Sequence, residues 1–382
     1  MPKTEFTGWV AKAQQIGPAL AEGAARRDLE GTFVRDGYAL LKEHRFFSMG
    51  VPGELGGGGA RHRELCDTIR ELGRHCGSTA LAFSMHSHLV AATVWKHLHG
   101  QPGEALLRKV AADEMVLLST GASDWIDSNG AAEKVDGGYR VTARKIFGSG
   151  GPAADLIIAS VPYEDPEAGP QVLHFSVPTS ADGVSMASDW NTLGMRATGS
   201  NTVVLERVFV PDQAISLRRP RGKWHPSWSV VLTVAVPIYM SAYMGIAEAA
   251  SEHALAFAAK RADAPWMPYL AGELENLLMQ TRLAWKGMID NASDYDFAPS
   301  LGLANNALIG KTLCTKAAVA TVQKAMEMAG GPGFFRASAL ERMFRDVCAA
   351  PYHPLPEKRQ LHFSGLIALG RDPITGESAP AR

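Results

Sequence analysis

Helical periodicity gives way to strand periodicity along this chain and then returns, and that order limits the fold more than any single motif does. Over residues 9–117 apolar side chains recur at three- and four-residue spacing, in 10–20, 32–44, 63–72 and 78–98. The run Pro52-Gly-Glu-Leu-Gly-Gly-Gly-Gly59 interrupts them, because that density of glycine forbids a helix. Over residues 118–210 the texture changes. Segments 138–142, 156–161, 172–177 and 202–210 are short, rich in β-branched and aromatic residues, and separated by Gly, Pro, Asp or Asn, which predicts the strands of an antiparallel barrel or sandwich. From residue 228 the helical period resumes, with long segments at 228–262, 266–293 and 303–329 and a further helix beginning near His362 or earlier. A doubly wound dinucleotide fold requires βαβ alternation, and this order excludes it.

The expected architecture is mostly α with a β-domain. It comprises a helical domain over 1–117, a β-domain over 118–215, a helical bundle over 225–372 and a tail over 373–382, which reads as disordered. Residues 218–226 read as a linker, and Arg218-Arg219-Pro220-Arg221 as a solvated loop. No charge occurs between Trp228 and Ala247, a stretch about long enough to span a bilayer. It contains Pro237 and several small or hydroxylated residues and runs into the amphipathic segment 248–261, so a buried bundle helix is expected.

Charge and cysteine usage exclude several classes of function. A net charge of −1 and a pI near 6.9 leave no electrostatic footprint for nucleic acid or an anionic membrane. The four cysteines, Cys66, Cys76, Cys314 and Cys348, include no CxxC and are too scattered for a disulfide scaffold. His86-Ser87-His88 has no cysteine or carboxylate beside it, so no metal site is expected. The first residues lack the basic-then-apolar order of a signal peptide, and a reducing cytoplasm is the default.

Four motifs in order carry a resemblance. Val51-Pro-Gly-Glu-Leu-Gly-Gly57, Gly138-Tyr-Arg-Val-Thr-Ala-Arg-Lys-Ile-Phe-Gly-Ser149, Leu193-Gly-Met-Arg-Ala-Thr-Gly-Ser200, and Ala329-Gly-Gly-Pro-Gly-Phe334 followed by Glu341-Arg-Met-Phe-Arg-Asp346 resemble the signatures of the acyl-CoA dehydrogenase superfamily of flavoproteins. The resemblance implies an N-terminal helical domain, a middle β-domain and a C-terminal four-helix bundle, assembled as a homotetramer. FAD, or FMN, would lie between β-domain and bundle, with an adenine end reaching another subunit. Phe147, Gly148 and Ser149 would meet the isoalloxazine, Ser149 donating toward the flavin N5 or O4 region. Arg261, Gly330 and Gly331 would meet the cofactor's phosphates, although Ala262-Asp263-Ala264-Pro265 departs from the family pattern after Arg261. Ser84, His88, Arg196 and Ser200 would contact a small-molecule substrate. Structural alternatives stand beside these roles. Ser149 can end a strand, Gly330-Gly331 can cap a helix, Arg345-Asp346 can be a structural ion pair, and His86 and His88 can be packing residues.

The family's dehydrogenases need a carboxylate base to take the α-proton while hydride leaves to the flavin. Aligned from Arg345-Asp346, the position of that base holds Pro354. The alternative position, on the first bundle helix, falls on Ala235. Glu357 requires a three-residue shift. His353 immediately precedes Pro354 and is what the chain offers instead. Histidine and Ser149 near the flavin resemble the family's two-component monooxygenases, in which a separate reductase delivers reduced flavin and a C4a-hydroperoxide oxidises the substrate. The expected function is therefore an oxygen-using flavin monooxygenase with His353 and Ser149 as catalytic residues. A true acyl-CoA dehydrogenase and a non-catalytic flavin-binding relative remain the alternatives.

Overall fold

A computed structural model describes residues 8–122, 124, 126–261 and 264–378. Ala262 and Asp263, where the chain departs from the family pattern after Arg261, lie outside the described residues. Six helices come first: α1 (Gly8–Glu22), α2 (Ala24–Glu30), α3 (Arg35–Glu43), α4 (His62–His75), α5 (Gly77–Leu98) and α6 (Glu104–Asp113). Helix α4 buries one face and exposes the other, whereas α5 is buried on nearly every side from Gly77 to Trp95. A helix apolar all round belongs in the interior, and α5 is the strut against which the rest of the site is built.

The middle of the chain forms two four-stranded sheets, β1–β4–β5–β8 and β2–β3–β7–β6. The strands are β1 (Leu117–Ser119), β2 (Ala131–Val135), β3 (Gly138–Gly148), β4 (Leu156–Asp165), β5 (Gly169–Pro178), β6 (Val184–Met186), β7 (Asn201–Pro211) and β8 (Ile215–Pro220). Tyr139, Val141, Val203 and Leu205 from one sheet share a buried cluster with Ile157, Leu173 and Phe175 from the other. This is the expected sandwich, antiparallel except where β1 runs parallel to β4. Along β3 every second side chain is buried, and the alternation carries Lys145 inside. There its ammonium donates to Asp124 at 2.5 Å, Asn129 O at 2.7 Å and Ser128 Oγ at 3.2 Å, the pairing a buried charge requires.

The segment read as a linker starts as a strand. β8 adds to β5, and Arg219 is 0% exposed rather than solvated. Strand alternation turns it inward, where Nε donates to His174 Nε2 at 2.9 Å and Nη1 to Ile126 O at 2.5 Å.

The bundle consists of α7 (Pro226–Ala258), α8 (Met267–Ala292) and α9 (Leu301–Ala329), completed by α10 (Gly331–Phe334), α11 (Ala339–Val347) and α12 (Glu357–Ala368). Helix α7 opens with Pro226 in its first turn, where a missing N–H costs no helical bond. Its charge-free stretch is buried within the protein. Beside Pro237 the carbonyl of Val234 is met by the His62 ring of α4 at 2.9 Å. Beyond α12, residues 371–378 form a closed turn in which Arg371 bridges Ser378 and Asp372 N donates to Glu377 O at 2.8 Å, so this part of the tail is ordered.

Candidate active site

His353 lies just after a short turn between α11 and α12, and two long helices fix it. From α7, the Tyr239 ring stacks on the imidazole at 4.7 Å and 19°, and the Tyr243 hydroxyl is 2.7 Å from Nε2. Tyr239 also donates to Pro354 O at 3.2 Å. These tyrosines are four residues apart, on one face of the helix. From α9, Lys311 is 1% exposed and directs its ammonium to Pro351 O at 3.3 Å, His353 O at 2.8 Å and Leu355 O at 3.1 Å. All three protons of the ammonium thus have acceptors in one loop. Burial pushes the Lys311 amine down to about 8, with Glu357 opposing. Burial, then Lys311, then His88, pushes the His353 imidazole down to about 3. The ring is neutral at physiological pH.

His88 on α5 completes this side. Its Nδ1 is 3.3 Å from Ser84 O and its Nε2 3.2 Å from Ser119 Oγ on β1. Burial lowers His88 to about 4. Its neighbour His86 accepts from Leu117 N at 3.0 Å through Nδ1, so Nε2 carries the proton and donates to Phe47 O at 2.8 Å. His86 therefore anchors β1 to α5. Ser84 is fully buried and donates to Leu81 O at 2.7 Å within its own helix.

A chain of hydroxyls lies at the end of β3. Thr198 Oγ1 donates to Met195 O at 2.9 Å, which leaves its oxygen to accept from Ser200 at 2.6 Å. Ser200 in turn accepts from Ser149 at 2.7 Å. With the anchor at a carbonyl, every proton points toward Met195, and the free side of Ser149 is a lone pair. That side of Ser149 therefore offers an acceptor, where the resemblance implied a donor. Phe147, 41% exposed, meets the edge of Trp190 at 5.2 Å and offers an apolar surface beside it. A Cβ on Gly148 would meet Val203 at 2.7 Å and Leu118 at 3.6 Å. Strand β1 thus has Leu118 against the end of β3 and Ser119 against His88, on opposite faces of the strand.

Arg196 lies apart from both groups. Its Nε donates to Asp28 O at 2.7 Å and its Nη1 to Thr192 O at 3.0 Å, and it fastens the β-domain loop to α2. Arg345 pairs with Asp28 and Glu341, and Asp346 Oδ1 accepts from Met195 N at 2.6 Å, so this pair is structural. The candidate acids are also placed. Glu357 is paired with Lys316 at 2.6 Å, which holds its carboxyl below the usual range. Ala235 is buried among apolar side chains of α7.

Arg261 and Gly330 come together at the far end of the bundle. Gly330 closes α9 with φ +64°, and a Cβ there would lie 3.5 Å from Arg261 Nη1. Gly331 has open space on its Cβ side. A bare backbone beside a guanidinium is a cradle for an anionic group. This cradle lies some 18 residues along α7 from Tyr243, about 27 Å at helical rise. It therefore cannot face the same end of a cofactor as His353.

Tyr239, Tyr243, Lys311 and Ser119 were not found from the sequence. The one signal for the tyrosines was their four-residue spacing in a charge-free helix, and a buried lysine in α9 gave none.

Comparison with known proteins accords with this arrangement. Residues 15–114 match the acyl-CoA dehydrogenase N-terminal domain and residues 238–356 the acyl-CoA dehydrogenase C-terminal domain. The chain is 26% identical over 373 residues to the putative acyl-CoA dehydrogenase YdbM of Bacillus subtilis (strain 168), covering 93% of this chain and 94% of that one. It is 26% identical to the L-evernosamine nitrososynthase of a Micromonospora species, covering 88% of this chain and 83% of that one. It is also 27% identical to the probable FMNH2-dependent monooxygenase SfnC of Pseudomonas putida, over 67% of this chain and 63% of that one. A structure of KijD3 in complex with FMN shares the fold with a TM-score of 0.86 at 22% identity, over 95% of this chain and 94% of that one. The two domain matches together span more than half of the sequence, and the chain belongs to the acyl-CoA dehydrogenase superfamily of flavin oxidoreductases.

Proposed function

We propose that this protein is an oxygen-using flavin monooxygenase that takes reduced flavin from a separate reductase and oxidises a small molecule. The carrying observation is the pairing of neutral His353 with Tyr243 beside Pro354, the position that aligns with the carboxylate of the family's dehydrogenases. Glu357 is occupied by Lys316, and the other family position for a base is Ala235. Neither family position therefore offers a free carboxylate to take an α-proton from an acyl thioester. Similarity to an FMNH2-dependent monooxygenase and to a nitrososynthase supports the same reading.

When bound, reduced flavin supplies the electrons that activate oxygen. The chain's own residues hold and orient. We assign half-exposed Phe147 to cover the ring, and the lone pair of Ser149 to an N–H donor such as that of reduced flavin at N5. We assign His353 to hold a proton toward the substrate, with His88 and Ser119 as a further polar pair on that side. The cradle at Arg261 and Gly330 serves the phosphate end of a cofactor held mainly by another subunit, which favours FAD while leaving FMN usable. Exposed Tyr269, Leu283, Leu313 and Phe334 supply apolar surface for the homotetramer this requires. We place the enzyme in the cytoplasm.

Anaerobic mixing of the flavin-loaded protein with a series of acyl-CoA thioesters tests this reading. The flavin absorbance should persist, and bleaching by any of them would establish dehydrogenation instead.

A further inference from the structure

The bond between Tyr243 and His353 defines which nitrogen of the imidazole carries the proton. Tyr243 is fully buried, and among the described residues its hydroxyl makes no hydrogen bond except the 2.7 Å contact with His353 Nε2. If Nε2 carried a proton and donated it, the phenol O–H would be sealed in the core with no acceptor. A buried donor without an acceptor is penalised enough to disfavour that arrangement roughly tenfold or more. Tyr243 therefore donates, and Nε2 accepts.

Stacked Tyr239 fixes the ring plane, and the Lys311 ammonium fixes the backbone on both sides of the ring. The groups facing the pair are Tyr239 from α7, Lys311 from α9, His88 from α5 and, beside Tyr243, Asp346 from α11. Burial first, then Asp346 and Tyr239, holds the phenol well above its ordinary range, so Tyr243 keeps its proton. The phenol is a fixed donor and not a station on a proton relay.

We infer that Tyr243 is a positioning residue that locks His353 as the Nδ1–H tautomer, making the histidine a hydrogen-bond donor to whatever lies in the pocket and not its resting base. Nδ1 has no protein partner among the described residues, and His353 as a whole is half-buried rather than sealed in the core. The ligand atom it meets is then an acceptor, such as a carbonyl, a phenolate or an oxygen gaining negative charge during oxidation. This rests on the proposed monooxygenase reading for its consequence, but the tautomer itself does not depend on any reaction.

Long-range proton–nitrogen correlation spectra of protein labelled with 15N-histidine, with His353 assigned through His353→Asn, read the tautomer without flavin or substrate. His353 should be neutral and Nδ1-protonated from pH 8 down to pH 5. Tyr243→Phe should give a measurable Nε2–H population while its affinity for reduced flavin stays within about threefold of wild type. In a coupled assay the same variant should lose turnover at least several-fold with KM within twofold. An Nε2–H or imidazolium ring in the wild-type protein would overturn the inference, as would an unchanged tautomer in Tyr243→Phe. A correct tautomer with no oxygen-dependent activity would instead count against the monooxygenase reading.

Discussion

Met195 donates its backbone N–H to the buried carboxylate of Asp346 at 2.6 Å, and this contact joins the β-domain to the bundle. The junction tolerates no extra bulk, because a Cβ on the preceding Gly194 would sit 1.9 Å from the carbonyl of Arg345. The loop that carries Thr198 and Ser200 is therefore clamped to the helix that precedes His353.

The clamp predicts a particular mutational pattern. Burial raises the Asp346 carboxyl to about 6, opposed by the Met195 N–H. A folded-state value above the unfolded one contributes stability at low pH that is lost as pH rises through about 6. Asp346→Asn keeps the acceptor without the charge and should be at least as stable as wild type at pH 8 in urea unfolding. Asp346→Ala strips the acceptor from a buried N–H and should lose about 1–3 kcal/mol.

Acid should destabilise the protein as a whole. Burial lowers His62, His86 and His88 to about 4, and lowers His174 and His353 to about 3. Unfolded histidine takes its proton near 6.5, so the unfolded chain binds protons first and stability falls as pH drops from about 6.5 toward 4. Asp346 and Asp67, both raised first by burial, act in the opposite sense, but these two carboxyls face five histidines. Calorimetry should show a lower Tm at pH 5 than at pH 7.5. An equal or higher value would mean these rings are not held neutral.

Arg261→Ala should separate the two flavins. On the proposed reading the guanidinium beside Gly330 meets a phosphate end, so its removal should weaken FAD binding roughly tenfold. FMN, which does not extend that far, should bind as before. Equal loss of both, measured by fluorescence titration, would place Arg261 in the fold or the assembly.

Ser149→Ala should weaken reduced flavin more than oxidised flavin. The hydroxyl chain leaves Ser149 an acceptor, which suits a ring N–H that only the reduced form carries. A loss of about fivefold for the reduced form, and less for the oxidised one, is expected from one hydrogen bond. The reverse ranking would mean the protons run the other way.

The zone order was legible because period two and period 3.6 survive in a single sequence, and the Gly-rich signatures stand out by composition. Arg219 was misread because a basic cluster looks solvated until strand alternation and a partner loop turn one member inward. The Tyr243–His353 pair joins residues 110 positions apart, so no local pattern announces it. Lys311 was invisible for the same reason, since its acceptors are backbone carbonyls of a loop that has no distinctive composition. His353 itself was found only because a carboxylate was missing from the position beside it, Pro354.

The central claim is that reduced flavin, held here, reacts with oxygen under protection. Anaerobic loading with reduced flavin followed by rapid mixing with oxygenated buffer tests it most directly. The account predicts a transient absorbance distinct from both reduced and oxidised flavin, outlasting the reaction of free reduced flavin, and shortened in His353→Asn. Single-step reoxidation at the rate of free flavin would contradict it.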